Sequence, residues 1–349
     1  MITPLSAVGL AVAALMAVVN VFMEVARKKA VSGSMLLPAS FWCHVFDLLV
    51  FTFAWIIYRA QGYPFYIRPG GEAFGIPGLH LSPVQIFVAY EIIDFALHGF
   101  GTWMFFKALQ EAAMSTAVPF LAFSSVLVLP AGFLLLNELP GFVQLLGVGL
   151  TTLGSVMMHW RLFAVGWTEP FKAIYKNKGC RYMIYASLTL AVISPLDKKL
   201  SLMADLYTQC VIFGVGMCLF FWVMAKARGD LLMPAIRSHL TWIMAAGILD
   251  AGTILLQFVS YQFIDAVIVI SIKRAGIILA VVFGWLFFGE RNIKDKLMAA
   301  SLMFVGVSFL YLSFTPAQAL CIAFSALLLA AVYIALASRQ PLAPAFDEA

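Results

Sequence analysis

Eleven apolar runs, each long enough to cross a lipid bilayer, constrain this chain more than any other feature. They cover 4–26, 38–59, 84–109, 112–136, 141–160, 182–200, 204–225, 238–262, 265–288, 295–314 and 317–337. A hydrocarbon core about 30 Å thick needs roughly 20 apolar residues of helix to span it. In lipid, backbone N–H and C=O groups must be satisfied internally, so an apolar run of this length is helical. Residues are 63% hydrophobic and only 11% charged, where soluble domains carry about 25%. The expected fold class is therefore all-α, a polytopic membrane protein.

Between the second and third runs lies RAQGYPFYIRPGGEAFGIPGLHLSPVQ, too polar to span and read as an external or interfacial loop. The basic, aromatic stretch WRLFAVGWTEPFKAIYKNKGCRY, after the fifth run, suits a headgroup layer. The first run is followed, not preceded, by its Arg and Lys residues, which reads as a retained span rather than a cleaved signal. Cys43, Cys180, Cys210, Cys218 and Cys321 stand alone without metal-ligand spacing, so neither a metal nor a cofactor is expected. The net charge of +5 reports basic loops and does not point to nucleic acid.

Lys and Arg set the expected orientation. One side collects Arg27, Lys28, Lys29, Lys107, Arg161, Lys172, Lys176, Lys178, Arg181, Lys226, Arg228, Arg237, Arg291, Lys294, Lys296 and Arg339. The other collects Arg59, Arg68, Lys198 and Lys199. The positive-inside rule then places the N-terminus outside and the C-terminus in the cytoplasm of a bacterial inner membrane.

An internal repeat underlies the runs. Sliding the chain by 152 positions lays residues 106–138 over residues 258–290, matching Phe106 with Phe258, Gly132 with Gly284 and Glu138 with Glu290. The register continues through Leu150 with Leu302 and Gly154 with Gly306. Each unit holds five spans, an odd number, so the copies enter the membrane in opposite senses, as in alternating-access carriers. The expected organisation is a first five-helix repeat over 1–160 and a basic interfacial linker over 161–181. A second five-helix repeat follows over 182–314, with an additional C-terminal helix and short tail over 315–349.

Charge inside the apolar runs marks the functional candidates, because one cation at mid-bilayer costs at least about 2.5 kcal/mol. Lys273 and Arg274 stand near the middle of the ninth run and project about 100° apart on a helix, so they can flank one group. Arg offers a planar fork and Lys a point charge, both suited to carboxylate or phosphate oxygens. In the third run Glu91, Asp94 and His98 share one helical face, which suits either charge balance or proton coupling. In the eighth, Asp250, Thr253, Gln257 and Tyr261 form a second stripe, with Asp250 at the repeat position of His98. Asp250 is the expected counter-ion of Lys273 or Arg274, and joins the candidates for proton coupling.

Other polar residues have plainer readings. Asn20 with Glu24, and His44 with Asp47, suit sites near a membrane face. Asp197, Lys198 and Lys199 are expected to end the sixth span at the surface, and Pro119 and Pro195 to kink their helices. Glu138 and Glu290 are expected to cap the helices that follow them. No phosphate-cradling GxxxxGK[ST], HExxH or GxSxG occurs, so the chain is expected not to be an enzyme or an ATP-driven pump.

The paired turns GFLLLNELPGFVQLLGVGLTTLGSVMM and FGWLFFGERNIKDKLMAASLMFVGVSFLYLSF, set in ten spans of two repeats, resemble the drug/metabolite transporter superfamily, EamA type. That resemblance covers about residues 4–314 and implies a cavity between the third, fourth, eighth and ninth helices, walled by the first, second, sixth and seventh. The stretch SIKRAGIILAVVFGW also resembles the triose-phosphate and nucleotide-sugar translocator branch, where a Lys-Arg pair binds substrate phosphate. The resemblance assigns that role to Lys273 and Arg274. A further Lys of that branch matches Ser115 here.

The expected function is a secondary active transporter, working by alternating access, for a small anionic or zwitterionic metabolite, phosphorylated ones included. Its substrate contacts would come from Lys273, Arg274, Asp250, Gln257, Tyr261, Asp94, His98, Trp103 and Ser115. Proton coupling would involve Asp94, His98, Glu91 and Asp250. Expected partners are the substrate, the bilayer and a proton or counter-substrate, and the protein would be a monomer or homodimer. Two alternatives stay open: a flippase for a lipid-linked phosphate, and a proton-coupled exporter of amino acids or hydrophobic cations relying on Asp94, Asp250 and Trp103. A membrane enzyme would instead need His44, Asp47, Glu91, Asp94 and His98 to converge.

Overall fold

A computed structural model describes residues 4–31, 36–67, 82–112, 123–138, 141–157, 175–276, 293–311 and 314–337, with positions 117, 120, 121, 279, 282, 283, 285 and 286. Ser115, Pro119, Ala122, Glu290 and most of the basic linker lie outside the described residues.

Eleven helices of ten or more residues follow one another among the described residues. They are α1 (Pro4–Ala30), α2 (Leu36–Ala60), α3 (Pro83–Glu111), α4 (Phe123–Leu136), α5 (Phe142–Met157), α6 (Lys178–Met203), α7 (Leu206–Arg228), α8 (Leu232–Tyr261), α9 (Ala266–Ala275), α10 (Ile293–Tyr311) and α11 (Pro316–Ala337). Local chemistry sets several ends. Ser82 and Gln85 form a capping box at α3, Asp205 accepts from Thr208 N at the start of α7, and Gly229 ends α7 with a φ of 75° that only glycine adopts freely. Six helical stretches are long and apolar enough to cross a membrane: Ser6–Ala30, Leu36–Ala60, Pro83–Glu111, Leu206–Arg228, His239–Tyr261 and Pro316–Leu336. The outward faces are apolar, as with Leu49, Phe53 and Ile56 on α2 or Leu219 and Trp222 on α7. The charged residues Glu24, Asp47, Glu91, Asp94, Asp197, Asp250 and Arg274 are buried. That inside-out distribution is what lipid as solvent selects.

Several boundaries differ from the expectation. α6 begins at Lys178, inside the stretch expected as linker. Asp197 and Lys198 lie within α6 and are buried, not at a surface, because each finds a polar partner inside the protein. Arg27, counted with the basic loops, is buried too. The helix around Lys273 and Arg274 is ten residues long as described and turns at Gly276. Gly276 lies against α1: a Cβ there would meet the Val21 side chain at 2.8 Å and the Ala17 carbonyl at 3.0 Å.

Packing has the symmetry of an inverted repeat. α1 lies along α8 and α6 along α3, while α2 meets α7 and α5 meets α10 across the centre. Exchanging the first five helices for the second five maps this pattern onto itself. Individual contacts exchange as well. Lys28 donates to the Ala112 carbonyl at 3.0 Å and Lys198 to the Ile264 carbonyl at 2.9 Å. Lys29 sits 4.3 Å from the Trp242 ring and Lys199 4.7 Å from the Tyr90 ring. Gln110 donates to Val31 O at 2.8 Å and Gln262 to Ser201 O at 3.1 Å. From α3 onward the offset is 152, but Lys28 to Lys198 is 170 positions. The difference lies in the connections: α2 ends at Ala60 and α3 begins at Pro83, whereas α7 ends at Arg228 and α8 begins at Leu232.

α5 and α10 cross through glycine. A Cβ on Gly147 would meet the Gly306 carbonyl, and one on Gly154 would meet the Ala299 carbonyl at 2.8 Å. These two contacts also exchange under the offset of 152, since 147 maps to 299 and 154 to 306. α11 packs on the outside of this pair. Gly149, one turn face away, has nothing within 4 Å of such a Cβ. Gly147→Ala should therefore destabilise the protein by about 1–3 kcal/mol, while Gly149→Ala should be neutral or mildly stabilising. Thermal unfolding of the two variants in detergent checks this, and equal melting temperatures would remove the glycine crossing as an explanation.

Candidate functional site

Charged residues on α1, α2, α3, α6, α8 and α9 converge on one cavity of about 70 Å³. At roughly 10–15 Å³ per water, that is room for about five waters or a small solute group. Its lining includes Glu24 and Arg27 from α1, His44 from α2, His98 from α3, Asp197 from α6, and Asp250 and Gln257 from α8. α9 contributes Lys273 and Arg274.

One ion pair organises the α1–α8 side. Arg27 Nη2 donates to Asp250 Oδ2 at 2.6 Å, with both groups buried. The guanidinium also lies 5.1 Å from the Phe106 ring and 5.8 Å from the Phe105 ring. His44 Nδ1 is 2.6 Å from Asp47 Oδ2 and 3.8 Å from Asp250 Oδ2. Both residues sit one helical turn apart on α2 and are buried. Asn20 and Glu24 are buried likewise, joined at 2.7 Å. Asp250 is therefore committed to Arg27, where a counter-ion to Lys273 or Arg274 was expected.

The α9 cations have neutral partners. Lys273 Nζ donates to Gln257 Oε1 at 2.9 Å, and Arg274 Nε donates to Ser124 Oγ, on α4, at 3.0 Å. No carboxylate among the described residues pairs with either. Gln257 also donates to Asp197 Oδ2 at 3.3 Å and to the Tyr261 hydroxyl at 3.0 Å. Tyr261 thus stands behind the lining and holds Gln257 in place.

The α3–α6 side is acidic. His98 Nδ1 is 3.6 Å from Asp94 Oδ2 and 3.9 Å from Asp197 Oδ1. Glu91 is buried one turn further along α3 and does not line the cavity. Trp103 is absent from the lining too; it stacks with Lys107 at 4.8 Å and Arg228 at 5.5 Å. The five residues that an enzyme would gather instead divide between two groups, one on α2 and one on α3.

Glu138 caps a helix, but a different one from that expected. Its Oε2 accepts from Ala266 N, at the start of α9, at 3.1 Å. Its other oxygen accepts from Lys198, whose ammonium also lies 3.7 Å from Asp265. α9 follows α4 in space rather than in sequence, which is why a local reading chose α5.

Sequence reasoning missed Arg27, Asp197 and Ser124. The first two stand at the ends of apolar runs beside two lysines, VARKKA and PLDKKL. Aligning those two strings would have shown that Arg27 and Asp197 occupy one position of the repeat.

Residues 177–312 match the model of the EamA-like transporter family. The matched stretch spans α6 to α10 and supports the resemblance to the drug/metabolite transporter superfamily. No curated protein matches the chain. Among solved structures, one crystal structure superposes with a TM-score of 0.59 at 13% identity, covering 85% of this chain and 96% of its own. At that identity the likeness bears on the fold alone.

Arg27→Gln leaves Asp250 buried without its cation and should cost about 3–5 kcal/mol of stability. Arg27→Gln with Asp250→Asn removes both charges and should recover a good part of that loss. A double-mutant cycle on melting temperature reads the coupling; additive losses would show that the pair does not act as a unit.

Proposed function

We propose that the protein is a secondary transporter that binds a small anionic or zwitterionic solute, phosphorylated ones included, between its two halves. The observation that carries this reading is the pair Lys273 and Arg274 on the cavity wall, each hydrogen-bonded to a neutral side chain and, among the described residues, in no salt bridge with a carboxylate. Two cations in a membrane interior without a direct carboxylate contact favour an anion brought from solution. Arg27 and Asp250 cancel one another, so the remaining lining charges are Lys273 and Arg274 facing Glu24 and Asp197. A solute with a carboxylate or phosphate at one end and an ammonium at the other would meet complementary charge at both.

The exchange of the α1–α8 and α6–α3 pairings under the repeat supports alternating access. The match to a transporter family over 177–312 supports transport over the alternatives of enzyme and scaffold. A lipid-phosphate flippase would use the same cations and differ only in what the anion is attached to.

Lys273→Ala and Arg274→Ala should abolish ligand binding while the protein still inserts and folds. The test is a thermal-shift screen of purified protein against phosphorylated metabolites, carboxylates, amino acids and lipid phosphates, followed by proteoliposome uptake of the solute that stabilises. Stabilisation and uptake that survive in both variants would sink the cation-wall reading. A shift produced by lipid phosphates alone would favour the flippase.

A further inference from the structure

The pseudo-twofold relates two buried ionic centres of unequal completeness. Arg27 on α1 meets Asp250 on α8. Their repeat mates are Asp197 on α6, 170 positions after Arg27, and His98 on α3, 152 before Asp250. These mates also face each other, at 3.9 Å. The polarity is reversed: a fixed guanidinium has become a carboxylate, and its carboxylate partner has become an imidazole.

Each centre has a further acid behind it. In the first, Asp47 is bound to His44 and Asp250 to Arg27, so each carboxylate has a partner, although Asp47 Oδ1, His44 Nε2 and Arg27 Nε have none. In the second, neither oxygen of Asp94 has a hydrogen-bond partner, nor do Asp197 Oδ1 and His98 Nδ1. Asp94 is 0% exposed and Asp197 2%. The three ligand atoms of Asp94, His98 and Asp197 lie within 4.8 Å of one another. Two carboxylates buried this deeply, with unpartnered oxygens and ligand atoms within 4.8 Å of one another, are stabilised by a positive charge between them, a proton included.

We propose that Asp94, His98 and Asp197 form a binding site for one cation taken from solution, a proton or a metal ion. That cation does in the second half what Arg27 does in the first. With a proton or another monovalent cation the second centre reaches the same formal charge as the first, counting both histidines neutral before it binds. The chemistry fits either source: imidazole can take up a proton between two acceptors, and imidazole with two carboxylates can ligate a metal ion.

The groups facing His98 are few. On α3 they are Asp94 and, a turn beyond, Glu91. α6 presents Asp197, and α7 presents the Phe213 ring, 4.7 Å away, with Cys210 near Asp197. α8 contributes Gln257 and Tyr261, and α9 contributes Lys273 through Gln257. Gln257 thereby joins the two sites, donating to Asp197 and accepting from Lys273. That the bound cation drives a solute rests on the transport reading above; the cation site itself does not.

The test uses full-length protein in detergent and reads thermal stability from acid to alkaline pH, with and without sodium, and with EDTA or added zinc. Wild type should shift by several degrees with one of these cations, and Asp94→Asn with Asp197→Asn should lose that dependence. If the double variant does not fold, each single variant should show a reduced shift. Asp47→Asn with Asp250→Asn, in the centre that already holds Arg27, should keep it. A pH dependence lost in His98→Gln identifies a proton, whereas a sodium or zinc dependence identifies a metal ion. A wild type indifferent to all three cations, or a dependence unchanged in Asp94→Asn and Asp197→Asn, overturns the site. The assay needs no transported solute, so failure of the transport reading shows instead as a fruitless ligand screen with the cation dependence intact.

Discussion

Three consecutive polar residues near the end of one helix mark each of the α1–α8 and α6–α3 pairings: the outer two meet the partner helix, and the middle lysine reaches a carbonyl beyond it, at the end of α3 or after α8. Arg27, Lys28 and Lys29 meet Asp250, the Ala112 carbonyl and the Trp242 ring. Asp197, Lys198 and Lys199 meet His98, the Ile264 carbonyl and the Tyr90 ring. In lipid, apolar surfaces gain little by finding one another, so packing and polar contacts decide which helix lies against which. A shift of either helix by one residue would leave all three of its polar groups facing hydrocarbon or the wrong neighbour. Buried ion pairs contribute little net stability once desolvation is counted. Their contribution here is to specify register.

The two ends are alike in these contacts but not in strength. Lys198 also reaches Glu138 and Asp265, which ties α6 to the end of α4 and the start of α9. Glu138 in turn holds the first backbone N–H of α9. α9 is the helix that carries Lys273 and Arg274, so its placement depends on this network at one end and on the close approach of Gly276 to α1 at the other. A rigid short helix held at both ends is a good platform for two cations whose value lies in their position.

Much of this was legible in the chain. Apolar run lengths gave all eleven helices, because in lipid the hydrogen-bonding requirement leaves no other choice. The offset of 152 gave the second part of the repeat and the matched positions of His98 and Asp250. What escaped was the partnering of charge. Arg27 and Asp197 read as helix-end residues because each stands beside two lysines, and a cation at the end of a span usually belongs to a loop. Their helices continue past them to Ala30 and Met203, so the charges sit one turn deeper than a boundary estimate would place them. The loop between α2 and α3 also breaks the constant offset, hiding the α1–α6 correspondence that would have paired them. Glu138 was assigned to the wrong helix for a related reason: capping partners are found in space, and its nearest helix start is 128 residues away in sequence.

The cavity's charge pattern narrows what can occupy it. Lys273 and Arg274 line it from α9, while His98 and Asp197 line it from α3 and α6, with Asp94, expected among the solute contacts, buried outside the lining and Gln257 between the two groups. Opposite charges that are separated, each without a fixed partner, cost more than the same charges paired, since both retain their full desolvation penalty. The protein maintains this separation although a salt bridge such as Arg27–Asp250 shows that it can pair charge at the same depth. On the proposed transport reading, a fold that keeps a cationic wall and an acidic wall apart suits occupants that bring both signs: a zwitterion, or an anion that arrives with its own cation. Either occupant would neutralise both walls at once, and neither wall alone would be satisfied without the other.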